Sequence, residues 1–485
     1  MQTEQSESRR GGFGSLGSIV CLIVLTWAAA IATFPLNDNS FFTHLATGRR
    51  ILERGSVPST DPYTFTAQGE PWTVQSWLAS IAYASAERLA GDVGLRLLVL
   101  ALFLGATWVL WKLTAPAHSI VIRFLLLAGA LFVVTDLWSE RPYMIGVIGL
   151  GLIWLAFEGR LRPWVLVPFM WVWVNTHGSW LLAVVLAGAV VLGGGLDRRR
   201  DSSSWLPTDT ERRVGGFVVL GTLLGAVSPL GPRVLWFPVA ALTKSEVFAE
   251  VIEWRPPSYE RLAERSFLVL VIVTVLLLVQ RGSWRLALPA ALFAGAGLYA
   301  QRNVVMATVV LVAACAHAAP IVGSLSGRDR PRTGPILAAL LAVVLMGTAA
   351  LAVSLPVLSE KSLGGYPARS LAALELESLR TVRVATEGST GNLLEVLGAP
   401  EGAVFVDDRV DMFPIHVFQD SLTLGRGQLG WEQVLDRYEI EAVIWPSDVA
   451  LASLLRSNPE WRMSYADTRW LVACRRGSAC PTRWG

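Results

Sequence analysis

Apolar runs of near-spanning length recur from Leu16 to Pro356, and no other feature restricts the fold so strongly. They fall at about 17–34, 95–113, 119–135, 143–158, 163–175, 178–196, 214–228, 266–280, 284–300, 303–322 and 334–356. A helix needs about 20 apolar residues to cross a bilayer, so the shorter runs imply tilted or partly re-entrant helices. The expected architecture is mainly α, a polytopic transmembrane helix bundle of about eleven spans over residues 1–356. A chain that is 53% hydrophobic and only 16% charged suits that setting and departs from soluble averages. The first run has no small-residue cleavage site before Asn37 and reads as an anchor rather than a cleaved signal.

The positive charges then order the connections. Arg9 and Arg10, Lys112, Arg160 and Arg162, Arg198 to Arg200 with Arg212 and Arg213, Arg281 and Arg285, and Arg328, Arg330 and Arg332 fall in alternate loops. The short connections between them carry only Arg141 and Arg302. Because cytoplasmic loops collect Lys and Arg, this pattern predicts a multi-pass membrane protein with a cytoplasmic N-terminus. Two long segments, 35–94 and 229–265, and everything after Pro356 then lie outside the cytoplasm.

Every unusual polar cluster falls on that outer side. The first outer loop, about 35–94, opens with Asp38, Phe41, Phe42, His44, Arg49 and Arg50. WSERPY supplies Glu140 and Arg141, WVNTHGSW supplies Asn175 and His177, EWRPP supplies Glu253, Trp254 and Arg255, and AQRN supplies Arg302 and Asn303. Any one of these alone is best read as an interfacial anchor. Five converging on one face predict a shared cavity, since ionisable groups at membrane depth line cavities more often than they face lipid. Within the first loop, SFFTHLATGRRILERG places Phe41, Leu45, Ile51 and Leu52 among polar residues, which predicts an amphipathic helix lying on the membrane surface. A second helix is expected at about 75–90, either interfacial or spanning, and Asp61 before Pro62 reads first as a turn cap.

From Val357 the composition turns soluble, and helix and strand signals alternate. A small extracytoplasmic α/β domain over 357–485 is expected, with strands at AVFVD, EAVIW and in WRMSYADTRWLVACRR. Asp407, Asp408 and Arg409 at the end of AVFVD are either acceptor contacts or an ion-pair network. Cys474 and Cys480 form a disulfide or sit in a disordered tail; both readings stand. No His, Cys or acid spacing assembles a metal site, no phosphate-binding glycine loop is present, and nothing calls for a nucleic-acid partner.

An acid at the head of the first outer loop, followed by His44-Leu45-Ala46-Thr47-Gly48, Ile51-Leu52, Gly55 and Pro58, resembles the GT-C superfamily of polytopic glycosyltransferases, and within it a largely uncharacterised bacterial group. Pro58-Ser59-Thr60-Asp61-Pro62-Tyr63-Thr64-Phe65-Thr66, Trp77-Leu78, WVNTHG, SPLGP and FVDDRVDMFP are similar to further motifs of that group. The resemblance implies transfer of a sugar from a polyprenyl-phosphate-linked donor to a glycan, lipid or protein acceptor in the cell envelope, at the outer membrane face. Asp38 matches the position implied to be the general base, with His44 assisting it. Arg141, Arg255 and Arg302 would then stabilise the leaving phosphate. Asn175 and His177 would bond sugar hydroxyls, Trp180 or Trp254 would stack on a sugar face, and Glu140 would complete the substrate site. Ser40 stands where the pattern has a second acid, so the cofactor is undetermined and no paired-acid metal motif is present. Two rivals follow: a transporter or lipid flippase, and a non-catalytic subunit of envelope polysaccharide assembly.

Overall fold

The computed structural model describes residues 14–135, 137–202, 204–242, 248, 250–319, 333–359, 361–367, 371 and 376–478. Its first part is all helical: α1 (Leu16–Ile31), α2 (Asn39–Arg54), α3 (Trp77–Leu113), α4 (Ile120–Val134), α5 (Met144–Phe157), α6 (Leu166–Thr176), α7 (Leu181–Ser202), α8 (Asp209–Leu224), α9 (Arg233–Leu242), α10 (Leu262–Arg281), α11 (Trp284–Tyr299), α12 (Val304–Ala318) and α13 (Gly334–Ser354). Each of the eleven apolar runs thus forms helix. Among the described residues five helical stretches are long and apolar enough to cross a membrane: Trp77–Leu113, Gly178–Ser202, Leu262–Arg281, Gln301–Ala318 and Gly334–Ser354. Helix length does not match the count of about eleven spans. α1, α4 and α5 are apolar but have 16, 15 and 14 residues, and 15 residues rise only about 22 Å against a hydrocarbon core of about 30 Å.

α12 runs through the middle of the bundle, buried almost throughout, and packs on α4, α5, α10 and α11. Hydrogen bonds tie the basic connections together at one end. Arg160 donates to the Lys112 carbonyl at 2.8 Å, Arg285 to Phe157 at 3.1 Å, Arg200 to Gly282 at 3.1 Å and Arg281 to Ala319 at 3.0 Å. At the other end, buried Arg96 donates to the carbonyls of Phe34 at 2.6 Å and Pro356 at 3.1 Å, joining the exits of α1 and α13. The segments containing Asp38, Arg141, Glu253 and Arg255 gather at this second end.

The long helix α3 is two helices. Ala90 and Gly91 leave helical geometry, and Gly91 has φ +56, a left-handed value that glycine adopts without a Cβ clash. The expected second helix at 75–90 is therefore the part before this break, and the apolar span follows it.

α2 is amphipathic, but its apolar face meets protein rather than the membrane surface. Phe41, Phe42 and Leu45 are fully buried against α3 and against α14 (Gly388–Leu397) from the soluble-composition region. Gly48 makes the approach to α3 close, because a Cβ there would lie 1.9 Å from the Ser80 carbonyl oxygen. The expected membrane-lying helix is corrected accordingly: α3 and α14 cover the stripe that would otherwise seek lipid.

The C-terminal region carries β1 (Val384–Thr386), β2 (Ala442–Pro446), β3 (Trp461–Ala466) and β4 (Trp470–Arg475) in one sheet of order β1-β2-β4-β3. β1 and β2 are parallel, and the β2–β4 and β3–β4 pairs are antiparallel. EAVIW and WRMSYADTRWLVACRR supply strands as expected, whereas AVFVD does not join the sheet. Val404 instead forms a single parallel bridge to Thr64 of the first loop, with its N–H on the Tyr63 carbonyl and its own carbonyl accepting from Phe65, both at 3.0 Å. Those backbone groups are satisfied by the loop, so no neighbouring strand is needed. Cys474 is disulfide-bonded, and Cys480 lies outside the described residues.

Candidate functional site

Asp38 ends the connection after α1 and begins α2 as its N-cap, its Oδ1 accepting from the Ser40 N–H at 3.0 Å. Ser40, which replaces the second acid of the resemblance, thus contributes its backbone to holding the first. Arg141 approaches from the α4–α5 connection, and its Nε lies 2.7 Å from both carboxylate oxygens of Asp38. One Arg141 terminal nitrogen donates to Glu253, and the other to Asn39 Oδ1 at 3.3 Å. Burial alone would weaken the Arg141 cation, but Asp38 and Glu253 outweigh it and hold the guanidinium firmly charged.

Glu140 precedes Arg141 and turns the other way. Its Oε1 accepts the Asp38 N–H at 2.8 Å, and its backbone carbonyl accepts the Tyr83 hydroxyl. Burial, then the neighbouring Asp38 charge, pushes the Glu140 carboxyl up to about 7. Asp38 and Glu140 line a cavity of about 560 Å³ whose wall is otherwise of two kinds. Ile31, Phe34, Leu36, Phe103 and Trp138 form an apolar side, while Asn37, Asn39, Ser139, Tyr366 and Ser389 are polar.

Trp254 connects the second group. Phe248 stacks on it at 4.4 Å between centroids, and the Arg302 guanidinium lies 4.2 Å over its ring. Arg302 is exposed, and among the described residues it forms no ion pair with a carboxylate. Arg255 joins the same corner through its backbone, its carbonyl accepting the Gln301 N–H at 3.0 Å. Its side chain points to Glu250 at 3.3 Å and is half exposed.

Four of the five outer segments therefore meet through Asp38, Arg141, Glu253, Trp254 and Arg302, although only Asp38 and Glu140 of the expected set line the cavity itself. His177 accepts the Ser179 N–H on Nδ1 at 3.1 Å and lies edge-on to Tyr143, with Arg302 and Arg141 close enough to act on it electrostatically. Two expected contacts are reassigned. Asn175 is fully buried, taking the Trp77 indole N–H on Oδ1 at 2.9 Å and giving its amide to the carbonyls of Trp171 and Gly225. It is therefore turned into the protein interior and does not line the cavity. His44 faces Ser80 at 3.3 Å rather than Asp38, and burial lowers it to about 4, so its ring is neutral. It braces α2 on α3.

The soluble-composition region adds residues that local patterns could not assign to this site. Asp408 accepts from Asn39 at 3.2 Å and from Asn392 at 2.6 Å. Burial, then Asp407, pushes its carboxyl up to about 6. Asp407 and Arg409 settle as a buried network. Arg409 donates to Asp407 Oδ1 at 2.9 Å and to Asp61 Oδ1 at 2.7 Å, and lies 4.3 Å over the Trp72 ring. Asp61 caps its own turn as expected, accepting the Tyr63 and Thr64 N–H groups at 3.1 Å each. Among the described residues no three His, Cys, Asp or Glu side chains gather as a metal site.

No family model matches the chain, and no curated protein matches it. Among solved structures it is similar to the apo oligosaccharyltransferase of the archaeon Archaeoglobus fulgidus, with TM-score 0.50 over 95% of this chain and 75% of that one, at 11% sequence identity. At that identity the likeness is one of fold, and the chain has a GT-C-like fold.

Proposed function

We propose that this protein is a membrane glycosyltransferase that moves a sugar from a polyprenyl-phosphate-linked donor to an envelope acceptor at the outer membrane face. The observation that carries this reading is the two-sided cavity: an apolar wall from Ile31 to Trp138 facing the acids Asp38 and Glu140. A lipid-linked sugar has that same duality, an apolar chain ending in a polar, reactive head. The GT-C-like fold supports the reading at the level of architecture.

In this mechanism the acceptor hydroxyl attacks the anomeric carbon as the bond from that carbon to the phosphate oxygen breaks. Charge grows on the departing phosphate, and fixed guanidinium groups stabilise it best because they need no reorganisation. Arg302 serves this task, since among the described residues it forms no ion pair with a carboxylate, and Arg141 lies within its field. Trp254, held between Phe248 and Arg302, has its ring covered and fixes that guanidinium instead of stacking on the sugar. Asp38 is the acid that the motif resemblance puts in the role of base, and its grip on Arg141 gives it a second task, aiming that guanidinium.

Binding of the lipid product tests the donor class. Polyprenyl phosphate should raise the thermal unfolding midpoint of the purified protein, and Arg302→Gln should weaken that effect about ten- to a hundred-fold in concentration, as loss of a charge-assisted hydrogen bond implies. Equal stabilisation by the uncharged polyprenol would remove the phosphate from the site.

A further inference from the structure

We propose that Glu140 takes the proton from the acceptor hydroxyl, and that Asp38 is a positioning residue that fixes Arg141. The inference rests on the glycosyltransferase reading and assigns the proton within it. Asp38 is poorly placed to receive a proton. Both of its oxygens lie 2.7 Å from Arg141 Nε, and Oδ1 also holds the Ser40 N–H that starts α2. Protonation there would disrupt charge-assisted bonds and the helix cap together.

Glu140 has the opposite surroundings. It lines the same cavity, no cation lies within ion-pair distance of it among the described residues, and a backbone amide, the Asp38 N–H at 2.8 Å, holds Oε1. The Asp38 N–H and Glu140's own backbone N–H orient the carboxyl, and among the described residues no side chain donates to it, which leaves it open to a substrate hydroxyl. The charged and titratable groups around it are Asp38, Arg141, Tyr83, Arg96 and Tyr366. Its burial, with the pKa near 7 noted above, suits a base that works at neutral pH, since efficiency peaks when the catalytic group titrates near the working pH.

The step balances. The acceptor oxygen forms a bond to the anomeric carbon, the bond from that carbon to phosphate breaks, the electron pair leaves with polyprenyl phosphate, and the hydroxyl proton passes to the Glu140 carboxylate. Product release lets that proton return to water.

The test is the pH dependence of kcat/KM for transfer from a radiolabelled polyprenyl-phosphate hexose, using the full chain in lipid nanodiscs. The rate should rise with pH through about 7 in the unaltered protein. Asp38→Asn should lower the rate yet keep a rise, moved to lower pH because the Asp38 charge that helps hold the Glu140 carboxyl up is gone. Glu140→Gln should cost on the order of a hundred-fold or more and abolish the rise, while polyprenyl phosphate still protects it against unfolding. Glu140→Asp, which keeps the acid but shortens its reach, should transfer slowly with a displaced rise, and serves if the glutamine variant does not fold. A Glu140→Gln or Glu140→Asp protein with normal rate and an unmoved rise would overturn the assignment, as would a rise that vanishes in Asp38→Asn. An unaltered protein that binds polyprenyl phosphate but transfers from no donor would instead overturn the glycosyltransferase reading beneath it.

Discussion

Arg141→Ala should reduce sugar transfer by on the order of a thousand-fold, the upper range for losing one preorganised charge-stabilising donor. Arg141 touches Asp38, Asn39 and Glu253 together. Without it, the Asp38 side chain, at 15% exposure, loses its ion-pair partner among the described residues. Removing one partner of a buried pair costs about 3–5 kcal/mol. Since Glu253 is 46% exposed and water screens its share, a loss of about 2–3 kcal/mol is expected here. Arg141→Lys separates the two effects. Lysine keeps the charge but is a compact ammonium that does not reproduce the planar fork across three acceptors, so stability should recover more than rate. Initial transfer rates and thermal unfolding midpoints, measured on the same preparations, check both.

Arg409→Met should be the more destabilising of the two changes, with little direct effect on chemistry. Its guanidinium bridges Asp61 of the first loop and Asp407 of the C-terminal region, and both carboxylates are fully buried. Glu395, also buried, lies 4.0 Å away, and burial followed by the Asp407 charge drives its carboxyl well up. Loss of the cation leaves this acid cluster uncompensated, at a cost of about 3–5 kcal/mol. Because the network joins two parts 348 residues apart in sequence, the expected signature is early separation of the C-terminal region from the first loop. Limited proteolysis of the variant should cut in the connection after α13 under conditions that spare the unaltered protein. Arg437→Met provides the comparison: that arginine pairs with Asp420 but is 54% exposed, so its loss should leave the unfolding midpoint nearly unchanged.

The helical positions were legible because hydrophobic runs and stop signals are local. The helix beginning after Asp38 could be bounded from SFFTHLATGRRILERG, since Gly55 ends it in a left-handed conformation at φ 68. Which surface covers its apolar face was not legible, because that depends on Ser80 and on residues 388–397. The same limit explains AVFVD: its period suits a strand, yet its partner is a loop 340 residues earlier. Among the described residues the basic connections at Lys112, Arg160, Arg200, Arg281 and Arg285 bond to their neighbours at one end, whereas helix length could not be inferred from hydrophobic runs that share residues with turns.

Within the site, Asp38, Glu140 and Arg141 stood out because charged residues beside apolar spans are costly and rare. What each one does was hidden. Asp38 and Arg141 are 103 residues apart, and no local pattern says that their side chains close on each other while Glu140 faces the cavity. Asn175 misled for a related reason. Its polar amide among apolar neighbours suggested a ligand, but the indole of Trp77, 98 residues away, supplies the partner. Asp408 reaches the site only through Asn39 and Asn392, so its membership depends on the docking of the whole C-terminal region.

The most direct measurement is transfer itself. The purified full chain in nanodiscs is incubated with a panel of radiolabelled polyprenyl-phosphate sugars, with water or an envelope glycan fraction as acceptor, and release of free polyprenyl phosphate is followed. The account predicts release from at least one member of the panel, saturable in donor and lost to background in Arg141→Ala. Folded protein that binds polyprenyl phosphate yet releases it from no sugar, or releases it equally with Arg141 replaced, would contradict the claim that this site is a glycosyltransferase centre.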